Sequence, residues 1–166
     1  MPALLASLLA LIFAWAAVAK IARFDAWSTA LSGYGLPGPL APAARFGTPL
    51  LEAAVAVLLV AGAVSAGAVL ALALSVAFCA AILRARSRLG KRLPCGCFGG
   101  RSAHDYRGML ALDLGLALAA AAVLASGDAA GPALLDPRAA APGLLAIAGI
   151  ALAGWVGVQA TAAMRR

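Results

Sequence analysis

A chain of 166 residues that is 64% hydrophobic and only 11% charged is too apolar for a water-soluble domain, which at this length has too little interior to hide so many segments. Its composition is that of an integral membrane protein. The formal net charge of +7 is not a nucleic-acid signal: the basic residues sit in short segments between apolar runs, no nucleic-acid motif accompanies them, and aromatic residues make up only 6%.

The first apolar run, 3–19, would rise about 25 Å as a helix, enough to cross most of a bilayer core once Lys20 snorkels. It lacks a basic leader and is long for a signal peptide, so it reads as a retained span. Residues 20–49 form a connector whose glycines and prolines argue against one continuous helix, with Phe24, Trp27, Leu31 and Tyr34 placed at the membrane interface. Pro49 suits the first turn of the next helix. The stretch 50–83 holds one charge, Glu52, and is too long for a single crossing. It divides into spans over 49–64 and 68–84, with a turn near Gly62, Ser65 and Gly67. A basic loop covers 84–107, a fourth span 109–126, and a turn-rich linker 127–143. A fifth C-terminal span covers 144–164, where Gly149, Gly154 and Gly157 suit close helix packing.

The fold class is therefore an all-α integral membrane protein, a four-helix transmembrane bundle with a fifth C-terminal span. Residues 1–126 form the bundle with its Cys-Gly-Cys loop, and 127–166 the linker and extra helix. With five spans, every Lys and Arg except Arg138 falls on one face. The positive-inside bias puts that face, including the 84–107 loop, in the cytoplasm and the N-terminus outside. The membrane is the cell (plasma or inner) membrane, and the lipid bilayer is the first partner.

"LPCGCFGG" (93–100) carries two of the three cysteines. Thiolate is the reactive form of cysteine, and Lys91, Arg92 and Arg101 supply the positive charge that favours it. One intervening residue makes a Cys95–Cys97 disulfide cramped and readily reduced, and Gly96 best accepts the backbone such a bond requires. The pair suits exchange better than permanent stapling. Two other readings stay open: a tight turn in which the cysteines merely fit, and a metal site built from Cys95, Cys97 and His104. The spacing is not that of zinc, copper(I) would need fewer thiolates, and no metal ligand is assigned. Cys79, in an apolar run, reads as a small core residue, and no cofactor is assigned.

Lys20, Glu52 and Asp113 lie in or beside apolar runs near the same face. Charges inside a bilayer are costly and usually paired, so a Lys20–Glu52 contact is expected; the alternative is that each sits at a helix end or snorkels.

The ordered landmarks Lys20, Arg23–Phe24, Tyr34, Leu36–Pro37, Pro49, Glu52 and Cys95-Gly-Cys97-Phe98-Gly99 make the chain resemble the methylamine utilisation protein MauE family. These are small multi-pass proteins related to DoxX-like membrane proteins. The resemblance covers 19–99, with weaker likeness through the fourth span. It implies a role in maturing methylamine dehydrogenase through disulfide formation or processing of its exported small subunit. Cys95 and Cys97 would be the redox pair, with thiol-disulfide oxidoreductase-like activity, and Lys20 and Glu52 supporting intramembrane groups. The family's Arg-Asn pair early in the fourth span is not matched by Arg107 and Asp113, so no role attaches to them. The implied partner is the protein undergoing maturation or a separate thioredoxin-like chain. A non-enzymatic module binding a metal ion or small ligand and supporting a partner complex is the alternative. Exported proteins acquire disulfides outside the cytoplasm, whereas charge puts these cysteines inside, and the sequence leaves that conflict open.

Overall fold

The computed structural model describes residues 2–34, 40–90, 92–94 and 103–126. Uninterrupted apolar sequence becomes long helix, because a backbone in hydrocarbon must satisfy its own N–H and C=O groups. Helix α1 spans Pro2–Ala22 and is followed at once by a short helix α2, Phe24–Gly33. Helices α3 (Leu40–Val60) and α4 (Val64–Leu89) form a hairpin. Strands β1 (Arg92–Pro94) and β2 (Ala103–Asp105) lead into α5, Tyr106–Ala125. Four of these helices, α1, α3, α4 and α5, are long and apolar enough to cross a membrane. The expected four-span helical bundle is what the described residues form. The expected fifth span and the 127–143 linker lie outside the described residues.

The spans pack α1 against α3, α3 against α4, and α4 against α5, with α1 also touching α5. Their shared core mixes Leu9, Phe13, Val55 and Leu59 with the alanines of α1, α4 and α5. Small residues let helix backbones approach where lipid removes any hydrophobic drive for association. The outer faces carry Leu4, Leu50, Val57, Val69 and Leu118, each more than half exposed, as lipid-facing side chains should be.

Several boundaries differ from expectation for local reasons. The second span starts at Leu40, so Pro49 lies inside α3 rather than in its first turn. The α3–α4 turn is confined to residues 61–63, where Gly62 takes φ +86°, a left-handed conformation that glycine adopts without penalty. Ser65 and Gly67 belong to α4 instead. A Cβ on Gly67 would meet Leu59 Cγ at 2.8 Å, so this glycine serves close contact between α3 and α4.

The described parts of the segment expected as a basic loop hold regular structure. Helix α4 runs on to Leu89, putting Arg86 and Arg88 in its last turn, where the helix dipole favours cations. Strands β1 and β2 pair antiparallel, with Arg92 opposite Asp105, Leu93 opposite His104 and Pro94 opposite Ala103. Asp105 then caps α5, its Oδ1 accepting the Arg107 backbone N–H at 3.1 Å. The Arg86 guanidinium lies 4.4 Å from the Tyr106 ring centroid and ties the end of α4 to the start of α5.

Candidate functional site

Lys20 sits in the last turn of α1, and its Nζ donates to Glu52 Oε1 at 2.7 Å and Oε2 at 2.9 Å. Both side chains are almost fully enclosed, at 1% and 2% exposure, so the pair is an intramembrane one rather than two snorkelling groups. The expected contact is formed. A bidentate carboxylate neutralises the ammonium inside a low-dielectric layer, and removing either member would leave a bare charge there.

Aromatic rings complete the enclosure of the ammonium. Lys20 Nζ lies 5.3 Å from the Trp27 ring centroid and 5.7 Å from that of Phe78. The negative faces of these rings favour a cation. Trp27 is held in place by a consequence of Pro49. A proline has no N–H, so it cannot donate to the carbonyl four residues earlier, that of Arg45. The Trp27 Nε1–H donates to this same Arg45 oxygen at 3.0 Å. The break in the α3 ladder thus becomes the anchor for α2. Arg45 in turn places its guanidinium 5.0 Å from the Phe24 ring, and Phe24 packs on Phe46 at 5.2 Å between centroids.

Beside the pair is a half-enclosed cavity of about 200 Å³. Trp27 and Leu31 of α2 and Tyr34, the residue just after it, line the cavity at helical spacing. Ala44 and Thr48 line it from α3, two turns and one turn before Glu52 respectively, while α4 contributes Ala77, Phe78, Ala81 and Ile82. Trp27, Leu31 and Tyr34, expected at the membrane interface, are buried against the bundle. Their hydrophobicity marked them as membrane residues, but nothing local in the sequence pointed to a shared cavity.

Asp113, to which the sequence attached no role, is buried in α5. It lies within electrostatic range of Cys79 across the α4–α5 seam. Ser75, one helical turn before Cys79, is fully buried, and its hydroxyl has no hydrogen-bond partner among the described residues. Cys95, Gly96 and Cys97 lie outside the described residues. Their chain neighbours are described: the ladder pairs Pro94 with Ala103, and so brings together the two ends of the stretch that carries the cysteines. His104 stands in β2. Among the described residues, no group of three or more His, Cys, Asp or Glu residues could hold a metal ion.

Fold and site together define a multi-pass membrane protein whose four described spans close around a buried ammonium–carboxylate pair. The family model described as methylamine utilisation protein MauE matches residues 1–126, and the chain belongs to that family. Membership supports a membrane accessory role in methylamine utilisation. No match was found among curated proteins or solved structures.

Proposed function

We propose that the protein is a thiol-disulfide exchange accessory of the cell membrane, acting through Cys95 and Cys97 in the maturation of a partner such as methylamine dehydrogenase. The observation that carries this reading is the β1–β2 ladder. It anchors both ends of the Cys-Gly-Cys stretch directly beside the α4 and α5 ends of a MauE-family bundle. In the oxidising direction a partner thiolate attacks the Cys95–Cys97 disulfide, forming a mixed disulfide and releasing one cysteine thiolate. A second partner thiolate then displaces the remaining cysteine, so the partner gains a disulfide and the pair is left as a dithiol. A separate thioredoxin-like chain re-oxidises it. Lys20 and Glu52 act as supporting groups that fix the bundle on which the cysteines are mounted.

The charge bias favours a cytoplasmic location for this stretch and an external N-terminus. The test combines substitution with labelling. Cys95→Ser and Cys97→Ser should each abolish partner maturation, and one of them should accumulate a mixed disulfide visible on non-reducing gels. Full maturation with both cysteines replaced would end the proposal. On a Cys79→Ala background, a membrane-impermeant thiol reagent should label the pair only after permeabilisation. Labelling in intact cells after external reduction would reverse the orientation and put the exchange on the side where an exported subunit matures.

A further inference from the structure

At the end of the bundle where α4 stops and α5 starts, two arginines share one aromatic ring. The Arg86 guanidinium lies 4.4 Å from the Tyr106 ring centroid, and that of Arg107 lies 5.9 Å from it. Tyr106 is buried and so gives a fixed mount, while both arginines are exposed. We propose that the α4–α5 seam at this end binds the headgroup of an anionic glycerophospholipid. Its phosphodiester is taken between Arg86 and Arg107, and its acyl chains lie along the outer faces of the two helices.

Three observations select that ligand. The first is the donor set. A guanidinium stacked on a ring keeps its in-plane N–H groups, and these match a pair of phosphate oxygens. Arg107 gives its Nε–H to the Tyr106 hydroxyl at 3.3 Å and keeps both Nη groups. Among the described residues, neither arginine forms a salt bridge. Asp105 acts on Arg107 electrostatically, but its Oδ1 accepts the Arg107 backbone N–H, so the seam keeps an excess of positive charge for an anion to complement. Depth is the second. Arg86 is in the last turn of α4 and Arg107 in the first turn of α5, at the ends of the membrane-crossing stretches Val64–Arg88 and Tyr106–Ala125. Basic groups between spans at that level suit anionic headgroups. Third, an exposed apolar row runs into the membrane from each arginine. Leu83 and Val76 follow Arg86 down α4, and Leu114 and Leu118 follow Arg107 down α5, in each case at helical spacing. A soluble phosphate or an acidic peptide would leave those rows unused. Arg84 and Arg88 are exposed too, but two residues along a helix is nearly the opposite face, so they stand away from the seam. The site is made of described residues, and binding there stands whether or not Cys95 and Cys97 exchange disulfides.

The test titrates the full chain in detergent with dioleoylphosphatidylglycerol. Native mass spectrometry counts the bound lipid in about 0.2 M ammonium acetate, where distant charges are screened. One lipid per chain should bind about tenfold more tightly than dioleoylphosphatidylcholine. Arg86→Gln with Arg107→Gln should abolish that preference. Arg84→Gln with Arg88→Gln removes the same charge and should leave it within about twofold. Melting temperatures show that each variant is folded. Where the first pair does not fold, Arg86→Lys with Arg107→Lys keeps the charge without the planar fork and should weaken binding about fivefold. Unchanged binding in that lysine variant overturns the proposal, as does equal affinity for the two lipids. Equal loss in the Arg86/Arg107 and Arg84/Arg88 variants reduces the site to diffuse surface charge and overturns it. Displacement of the lipid by an equal concentration of sn-glycerol 3-phosphate makes a soluble phosphate the ligand and also overturns it.

Discussion

Lys20 and Glu52 show how a single buried pair constrains a membrane protein. Each is enclosed to within 2% of completely, so neither has water to fall back on. Breaking a buried pair on one side costs about 3–5 kcal/mol, because the surviving charge is left uncompensated. Lys20→Met and Glu52→Leu should therefore each destabilise the bundle strongly, while the double variant recovers most of the loss. Melting of the three variants in detergent measures this coupling directly. Recovery of stability together with partner maturation would restrict the pair to a structural role. This contact was legible in the sequence, since a cation and an acid within apolar runs at one face have few other partners. The Trp27 contact was not. Its cause is a carbonyl vacated by Pro49, and a sequence does not reveal which side chain will reach a vacated acceptor.

That vacancy is felt at the scale of elements, because it joins two helices. Trp27→Phe should cost about 1–3 kcal/mol by leaving the Arg45 carbonyl unsatisfied. With Pro49→Ala in place, the new N–H of residue 49 serves that carbonyl, and the same Trp27→Phe change should cost less. A double-mutant cycle read from thermal melts tests the shared acceptor, and strictly additive effects would refute it. Gly67 makes a second contact between elements. Its missing Cβ is occupied by Leu59, with the Leu59 backbone N also only 3.1 Å away. Gly67→Ala should destabilise the α3–α4 hairpin by about 1–3 kcal/mol through overpacking, and Leu59→Ala should restore part of it. The sequence marked Gly62 and Gly67 alike as turn residues; only Gly62 is one. Glycine composition alone does not distinguish a backbone that must turn from one that must be approached.

At the scale of the whole molecule, the apolar runs made the spans legible, and the cysteine motif with its ordered landmarks made the family legible. The β1–β2 ladder was hidden inside a run of basic residues, because three-residue strands carry almost no periodic signal. Four spans put the 61–63 turn on the opposite side of the membrane from the ends of α4 and α2. On a cysteine-free background, Ala63→Cys and Ser87→Cys should label from opposite faces with an impermeant reagent. With the orientation proposed above, Ala63→Cys is the one expected to be externally accessible, and labelling of both from one side would show that α4 does not cross the membrane.

The separation of Lys20 and Glu52 along the chain also sets an order of events during synthesis. They are 32 residues apart, and Lys20 leaves the ribosome first. At roughly 5–20 residues per second, the first helix waits on the order of seconds for its carboxylate. During that interval Lys20, placed in the last turn of α1, can keep its ammonium among the headgroups. Arrival of α3 then lets the charge withdraw from the bilayer surface. The pair thus forms only after the second span has inserted, and a chain whose α3 stalls leaves the Lys20 ammonium among the headgroups at the end of α1.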